Sequence, residues 1–230
     1  EAIKIAVPYI QQLLKALHIP IIELEGYEAD DIIGTLAKQA EKEAFEVVMV
    51  TPDKDFAQLV SENIFMYRPA RMGNGIEIWG IPEVQKKFEI THPEQVIDYL
   101  GMMGDAVDNI PGLPGVGDKT AKKFLAQYGS MEALLANTAD LKGKLKEKIE
   151  VNKELGLLSK KLARIMLDVP VLFDANDYKL SDPDVPAVSE LFQELEFRRL
   201  SETFMKIFKP TEATPEATKI ETKAAPAAFD

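Results

Sequence analysis

Cysteine is absent from this 230-residue sequence, histidine occurs twice and tryptophan once. The first absence excludes disulfides and every thiolate metal site. The second leaves His18 and His92 without a histidine partner at metal-ligand spacing, and both read as exposed loop residues. With no thiol and no Ser/His/Asp arrangement, nucleophilic acyl-transfer chemistry has no support in the sequence. No apolar run reaches the ~18 residues that a membrane-spanning helix needs. The chain opens on Glu1-Ala2-Ile3, with neither a signal-peptide layout nor a leading methionine. That start predicts an internal fragment, and the cysteine-free composition predicts a cytosolic home.

What is present is a globular composition, 46% hydrophobic, with a formal net charge of −11. An acidic sum argues against a nucleic-acid partner, but the charge is unevenly spread. Residues 119–164 hold 11 Lys/Arg against 5 Asp/Glu, a balance of +6, so the remainder carries −17. A basic face on an otherwise acidic chain suits binding to a nucleic-acid backbone, although a solvated helix surface has the same pattern.

Periodicity gives the organisation. Residues 8–17 read as a helix; a start at Ala2 would place Pro8 inside it and kink it. Residues 19–24 read as a strand, 29–40 as a helix and 45–50 as a strand buried on both faces, together a parallel βαβ unit. A hairpin is expected from 64–68 and 76–79 around Gly73-Asn74-Gly75, with Tyr67 and Trp79 packing in it rather than stacking on bases. Short helices follow over 82–88 and 93–103, and the chain is mainly helical to residue 168. Residues 169–173 read as an extended edge piece, and 185–195 with 198–208 as a final amphipathic pair. The last stretch, 210–230, is Thr, Ala, Pro, Glu and Lys without a hydrophobic period, and reads as a flexible linker.

One segment is more informative than the rest. From Gly104 to Gly129 the chain reads GDAVDNIPGLPGVGDKTAKKFLAQYG. Gly115 and Gly117 allow backbone N–H groups to approach a phosphate, and the helix that follows points its positive N-terminus there. Lys119, Lys122 and Lys123 lie within about a turn of that point. Such a device grips a nucleic-acid backbone without reading bases. It is not a nucleotide P-loop, because Asp118 stands between Gly117 and Lys119-Thr120 and no apolar strand leads into it.

Three groups of carboxylates precede or open this segment: Glu28, Asp30 and Asp31; Asp53 and Asp55; Asp105 and Asp108. In a parallel α/β sheet the first two groups follow strands whose carboxyl ends share one edge. Each group has a bland reading: helix N-terminal acids, caps of a short helix, and loop acids bonded to backbone. Seven carboxylates at one edge repel one another and call for hard divalent cations, Mg²⁺ or Mn²⁺. Two such ions roughly 4 Å apart serve phosphodiester displacement. All three of the first group reach one site only if Glu28 lies ahead of its helix, since on a regular helix Asp30 points away from Glu28 and Asp31.

The ordered set GYEADD, TPDKDF, GMMGDAVDNIPGLPGVGDKTAKKFL and Leu195-Glu196-Phe197 resembles the 5′–3′ exonuclease domain of bacterial DNA polymerase I, a member of the flap endonuclease family. The resemblance covers about residues 1–208 and implies an α/β fold, with part of a parallel-sheet, PIN-like nuclease core over 1–104. A helical subdomain with a helix–hairpin–helix motif would span 105–208, and 209–230 would be a linker to a downstream domain. It implies that Glu28, Asp30, Asp31, Asp53, Asp55, Asp105 and Asp108 hold two Mg²⁺ or Mn²⁺ ions, with Glu28, Asp53 and Asp55 as catalytic carboxylates. It further implies that Gly112, Gly115, Val116, Gly117, Lys119, Thr120, Lys122 and Lys123 bind duplex DNA, and that K⁺ sits on the hairpin's carbonyl oxygens. Implied partners are duplex DNA with a 5′ flap, nick or gap and covalently linked polymerase domains, in a nucleoid-associated cytoplasmic protein with no membrane role. Family members begin with an Asp-bearing strand and a basic arch that have no counterpart in this sequence, so impaired activity is expected. Two other readings remain at this level: a non-catalytic duplex-binding module, and a PIN-like ribonuclease with the same acid-rich core.

Overall fold

Proline and glycine punctuate the chain into ten helices and a small sheet in the computed structural model, which describes residues 2–69 and 75–208. Residues 209–230, expected as a linker, and the Gly73-Asn74 part of the hairpin turn lie outside the described residues. Packing divides the chain into two units, one of residues 22–176 and one drawn from the described parts of 1–21 and 177–230.

The larger unit contains the sheet. Helix α1 (Ala2–Ala16) belongs to the other unit; α2 (Ala29–Lys42) opens the larger one. Helix α2 buries Ile32, Gly34, Thr35, Ala37 and Ala40, a stripe at helical spacing. It leads to strand β1 (Val47–Val50), then a 3₁₀ turn (Lys54–Leu59), then β2 (Ile64–Pro69) and β3 (Ile76–Trp79). The strand order is β1-β2-β3, parallel between β1 and β2 and antiparallel between β2 and β3. Trp79 is buried opposite Met66, so its role is packing, and Arg68 lies over its ring at 3.9 Å.

Two expectations are corrected here. Residues 19–24 form no strand: β1 pairs only with β2 among the described residues, and that apolar run has no ladder to complete. The parallel pair is instead β1/β2, joined through the 3₁₀ turn. Nor is β1 buried on both faces: Met49 is in the core, while Val50 is 69% exposed. Alternation, the mark of a half-buried strand, holds for the part that pairs.

Helices α3 (Ile81–Phe88), α4 (Gln95–Met103), α5 (Asp118–Tyr128), α6 (Met131–Ala136), α7 (Gly143–Val151) and α8 (Lys153–Leu162) complete the unit. One apolar core runs through it, from Ile64 and Met66 on the sheet through Leu100 and Met102 to Leu113, Leu134 and Ile149. Because sheet and helices share that core, the acidic turns after α2's N-terminus and β1 are held in fixed relation to the glycine-rich hairpin. Helices α4 and α8 meet backbone to backbone at Gly101, where a Cβ would stand 2.6 Å from the Lys160 Cα. Asp98, buried in the same seam, accepts the Met131 amide at 2.8 Å and pairs with Lys160. The extended edge piece expected at 169–173 does not form: the chain bends at Pro170, where the Val171 N–H donates to the Val169 carbonyl at 2.7 Å, and the Gln39 amide group then donates to the Val171 carbonyl and accepts from the Phe173 N–H.

In the second unit α1 does start at Ala2, with Pro8 inside it, so the ladder lacks one donor there. Helices α9 (Val185–Glu194) and α10 (Arg198–Phe208) bury Val188, Phe192 and Phe204 against Leu13, Ala16 and Leu17. Asp184 caps α9 through the Ala187 amide, and Tyr9 donates to Glu194 at 2.8 Å.

Candidate active site

Glu28 is the N-cap of α2 and is extended (φ −79°, ψ 157°), so it lies ahead of the helix while Asp30 and Asp31 occupy its first turn. That break in helical periodicity lets Glu28, Asp30 and Asp31 all line one cleft of about 820 Å³. Asp53, Asp55 and Asp108 line it too. The Asp55, Asp105 and Asp108 carboxylates each offer an oxygen within 4.8 Å of the other two. All seven sequence-predicted carboxylates are thus gathered at one place, by three turns each built for it. Asp53 Oδ1 accepts the Asp55 amide at 3.0 Å and so fixes the 3₁₀ turn. Asp105 Oδ1 accepts the Val107 amide at 2.8 Å, and residues 105 and 110 form an isolated antiparallel bridge that closes the loop carrying Asp108. The bland roles of cap and loop acid are therefore real for Asp53 and Asp105; Asp53 leaves its other oxygen for the cleft, while the second oxygen of Asp105 takes the Lys54 ammonium. Asp31 spends one oxygen on the Met166 amide at 2.8 Å.

The electrostatics follow from the crowding. Burial, then the charges of Asp53, Asp105 and Asp108, push the Asp55 carboxyl up to about 7, with Lys54 offsetting part of the rise. Its Oδ1 is buried and has no hydrogen-bond partner among the described residues. Burial, then Asp53, Glu28, Asp31 and Asp108, raises Asp30 as well. Asp105 moves the other way: the Lys54 ammonium bonded to it holds its carboxyl below the ordinary range. A buried carboxylate oxygen without a donor, beside two more carboxylates, is the donor set of a hard cation. The residues present therefore fit divalent ions with oxygen ligands.

Three contributors were not singled out from the sequence. Lys54, between Asp53 and Asp55 in the chain, pairs with Asp105. Gln58 is 5% exposed inside an apolar run, Phe56 to Val60, where a buried amide must find partners. Residues 161–166, from the end of α8, form the cleft's other wall and bring Lys161 and Arg164 to it. Sequence separation of more than 100 residues hid this wall; the buried glutamine was the one local signal.

The hairpin joins α4 to α5. Gly112 has φ +67°, is buried, and donates its amide to Ser159 Oγ at 3.0 Å. Val116 is a core residue, 6% exposed, with its amide on the Leu113 carbonyl. These two build the loop. Gly115 (φ +90°) and Gly117 are exposed, and among the described residues no acceptor takes their amides. Lys119 and Lys123 are exposed on α5, with Thr120 half-buried between them. Lys122 is engaged, 3.1 Å from Asp118 and 3.4 Å from Glu89. The free amides and two free lysines share the positive end of α5.

Comparison with known proteins agrees with this arrangement. The family model described as 5′–3′ exonuclease, N-terminal resolvase-like domain, matches residues 1–97. That described as 5′–3′ exonuclease, C-terminal SAM fold, matches residues 91–186. The 5′–3′ exonuclease of Aquifex aeolicus (strain VF5) is 38% identical over 209 residues, covering 91% of this chain and 70% of its own. DNA polymerase I of Bacillus caldotenax is 45% identical over 196 residues, 85% of this chain. The chain spans only 22% of that polymerase's length. Among solved structures, T5 5′-exonuclease with divalent metal ions (zinc) bound superposes with a TM-score of 0.56 at 19% identity, covering 83% of this chain and 64% of its own. The catalytic core of Rad2 in complex with DNA substrate gives 0.62 at 17% identity, over 89% and 69%. These likenesses show the fold, a mixed sheet with helices followed by a helical hairpin-bearing part. The Aquifex relative, matched over most of both chains, shows the family: this chain belongs to the 5′–3′ exonucleases.

Proposed function

We propose that the chain is the 5′–3′ exonuclease and flap endonuclease part of a DNA polymerase I, hydrolysing phosphodiesters at 5′ ends and flaps on duplex DNA. One observation carries this reading: Asp55, Asp105 and Asp108 crowd within 4.8 Å, with a buried Asp55 oxygen unpartnered, beside four further acids in the same cleft. Two Mg²⁺ or Mn²⁺ ions, if bound there, would supply Lewis-acid chemistry that activates water near neutral pH and offsets charge on the leaving oxygen. Asp55, Asp105 and Asp108 would hold one ion; Glu28, Asp30, Asp31 and Asp53 would complete the second. Glu28, Asp53 and Asp55 are the catalytic carboxylates in this reading.

The hairpin supplies the grip. Gly115 and Gly117 offer amides, and Lys119 and Lys123 offer charge, to one backbone phosphate of the duplex, with Gly112, Val116, Thr120 and Lys122 shaping the element. The hairpin carbonyls would hold a K⁺ ion, which would add positive charge to this grip. The working division is a nuclease core over 1–104, the helical DNA-binding part over 105–208 and a linker over 209–230 to polymerase domains, in a nucleoid-associated protein. The substrate class is duplex DNA with a 5′ flap, nick or gap. The T5 and Rad2 structures, described respectively with divalent metal ions (zinc) and with DNA substrate, support both halves of the reading.

Fluorescence anisotropy of a labelled 5′-flap duplex, titrated with KCl in EDTA, tests the grip. Salt-sensitive binding that prefers duplex over single strand is expected. Whatever Mg²⁺-dependent cleavage at the 5′ side the chain gives should be abolished by Asp53→Asn. Absence of duplex binding at low salt would refute the assignment.

A further inference from the structure

The carboxylate cleft has a second wall, and it is basic. Lys161 and Arg164 face the acids across the same opening. A strand of nucleic acid is a polyanion, and six carboxylates lining one cleft repel it; a cation on the facing wall gives the phosphate somewhere to rest.

Arg164 is fixed there with unusual thoroughness for an exposed residue. Gln58 Nε2 donates to the Ala163 carbonyl at 3.0 Å, and its Oε1 accepts the Ile165 amide, also at 3.0 Å. The same Nε2 donates to the Asp55 carbonyl at 2.9 Å. One buried amide therefore ties the turn bearing Asp55 to the backbone on both sides of Arg164. Asp31 takes the next amide, Met166 N–H, and Thr35 Oγ1 accepts the Val169 amide at 3.3 Å. Gly34 makes the close approach feasible: a Cβ there would stand 2.7 Å from Ile165 Cγ2. The backbone is clamped, yet the exposed Arg164 guanidinium makes no hydrogen bond or salt bridge among the described residues and acts on Glu132 of α6 through its charge alone, whereas Lys54 beside the cleft is bonded to Asp105.

We propose that Arg164 is a substrate-positioning residue, whose guanidinium holds a phosphate of the bound strand against the carboxylate cleft. Its planar fork matches two phosphate oxygens, which the flexible ammonium of neighbouring Lys161 does not. The assignment rests on the nuclease reading, and goes beyond it by naming the residue that receives the phosphate opposite the acids.

The test is a binding cycle and needs no turnover. The chain and its Arg164→Ala and Arg164→Lys variants are titrated with a labelled 5′-flap duplex in Ca²⁺. Duplexes carry a single neutral methylphosphonate at each phosphate around the junction in turn. At one position the neutral linkage should weaken binding by the chain about tenfold and weaken Arg164→Ala no further, whereas Arg164→Lys keeps part of the effect. Arg164→Ala, at an exposed side chain, should leave the melting temperature in EDTA unchanged. Additive losses at every phosphate would overturn the role of Arg164 while leaving the nuclease reading standing. No binding of any duplex by the unsubstituted chain would overturn that reading and this assignment with it.

Discussion

Lys54 stands between Asp53 and Asp55 in the chain, yet its ammonium is bonded to Asp105, 51 residues away. That contact joins the turn after β1 to the loop that opens the hairpin, so two of the three sources of carboxylate are tethered by a protein cation. Burial works against the charge on Lys54, but the bond and charges of Asp105, Asp55 and Asp53 outweigh it and raise its pKa.

Lys54→Met should lower the stability of the metal-free chain by about 1–2 kcal/mol, the worth of a charge-assisted bond at a partly exposed site. Urea unfolding in EDTA measures it. The gap should narrow in saturating Mn²⁺, where the ion takes over the neutralising task; an equal loss with and without Mn²⁺ would make Lys54 purely structural.

Asp55 sets the pH response of the site. Its carboxyl is pushed up to about 7 from an ordinary 3.8. A raised acid contributes stability that is complete below about pH 4 and is lost as pH rises through about 7. In EDTA, this group therefore makes the folded chain less stable from pH 4 to pH 7, and Asp30 acts in the same direction. Asp105, held low by Lys54, contributes the opposite slope, lost only as pH falls below about 4. Below pH 7 divalent-ion binding should weaken by up to about tenfold per pH unit and release close to one proton. Calorimetry in buffers of different ionisation enthalpy reads that proton; Asp55→Asn should abolish the release.

Gly112→Ala should unfold the hairpin. Its φ of +67° is strained for alanine, and a Cβ would stand 2.5 Å from the Gly104 backbone nitrogen. A loss of more than about 2 kcal/mol is expected from the two together, seen as a lowered denaturation midpoint. Gly117→Ala, with extended backbone and open space around the Cβ position, should cost far less stability.

The lysines of α5 should separate into two kinds. Lys119→Ala and Lys123→Ala are each expected to weaken duplex binding evenly across sequences and to reduce its salt slope by about one unit. Lys122→Ala should move the slope less, because that ammonium is already held by Asp118 and Glu89. Anisotropy against KCl concentration distinguishes them.

The motifs were legible because they are local. A Gly/Pro-rich loop between two helices and three short acidic clusters are written within a few residues each, and their chemistry survives any error in the surrounding elements. What failed was long-range. The apolar run at 19–24 has the composition of a strand, but composition does not supply a neighbour, and a strand exists only with one. The basic wall at 161–166 meets the acids through Gln58, Asp31, Thr35 and Gly34, contacts that no periodicity encodes. Lys122 illustrates the same limit at short range: its spacing matches Lys119 and Lys123, while its partner Glu89 comes from the end of α3.

The central claim is that the acidic cleft is a divalent-ion site. Titration calorimetry of Mn²⁺ into the chain, alongside Asp55→Asn and Asp108→Asn, tests it most directly. The account predicts saturable binding that both substitutions weaken by at least about tenfold, with no loss of melting temperature in EDTA for Asp55→Asn, which relieves a buried charge. Absence of saturable Mn²⁺ binding at pH 8, where Asp55 is ionised, would contradict it.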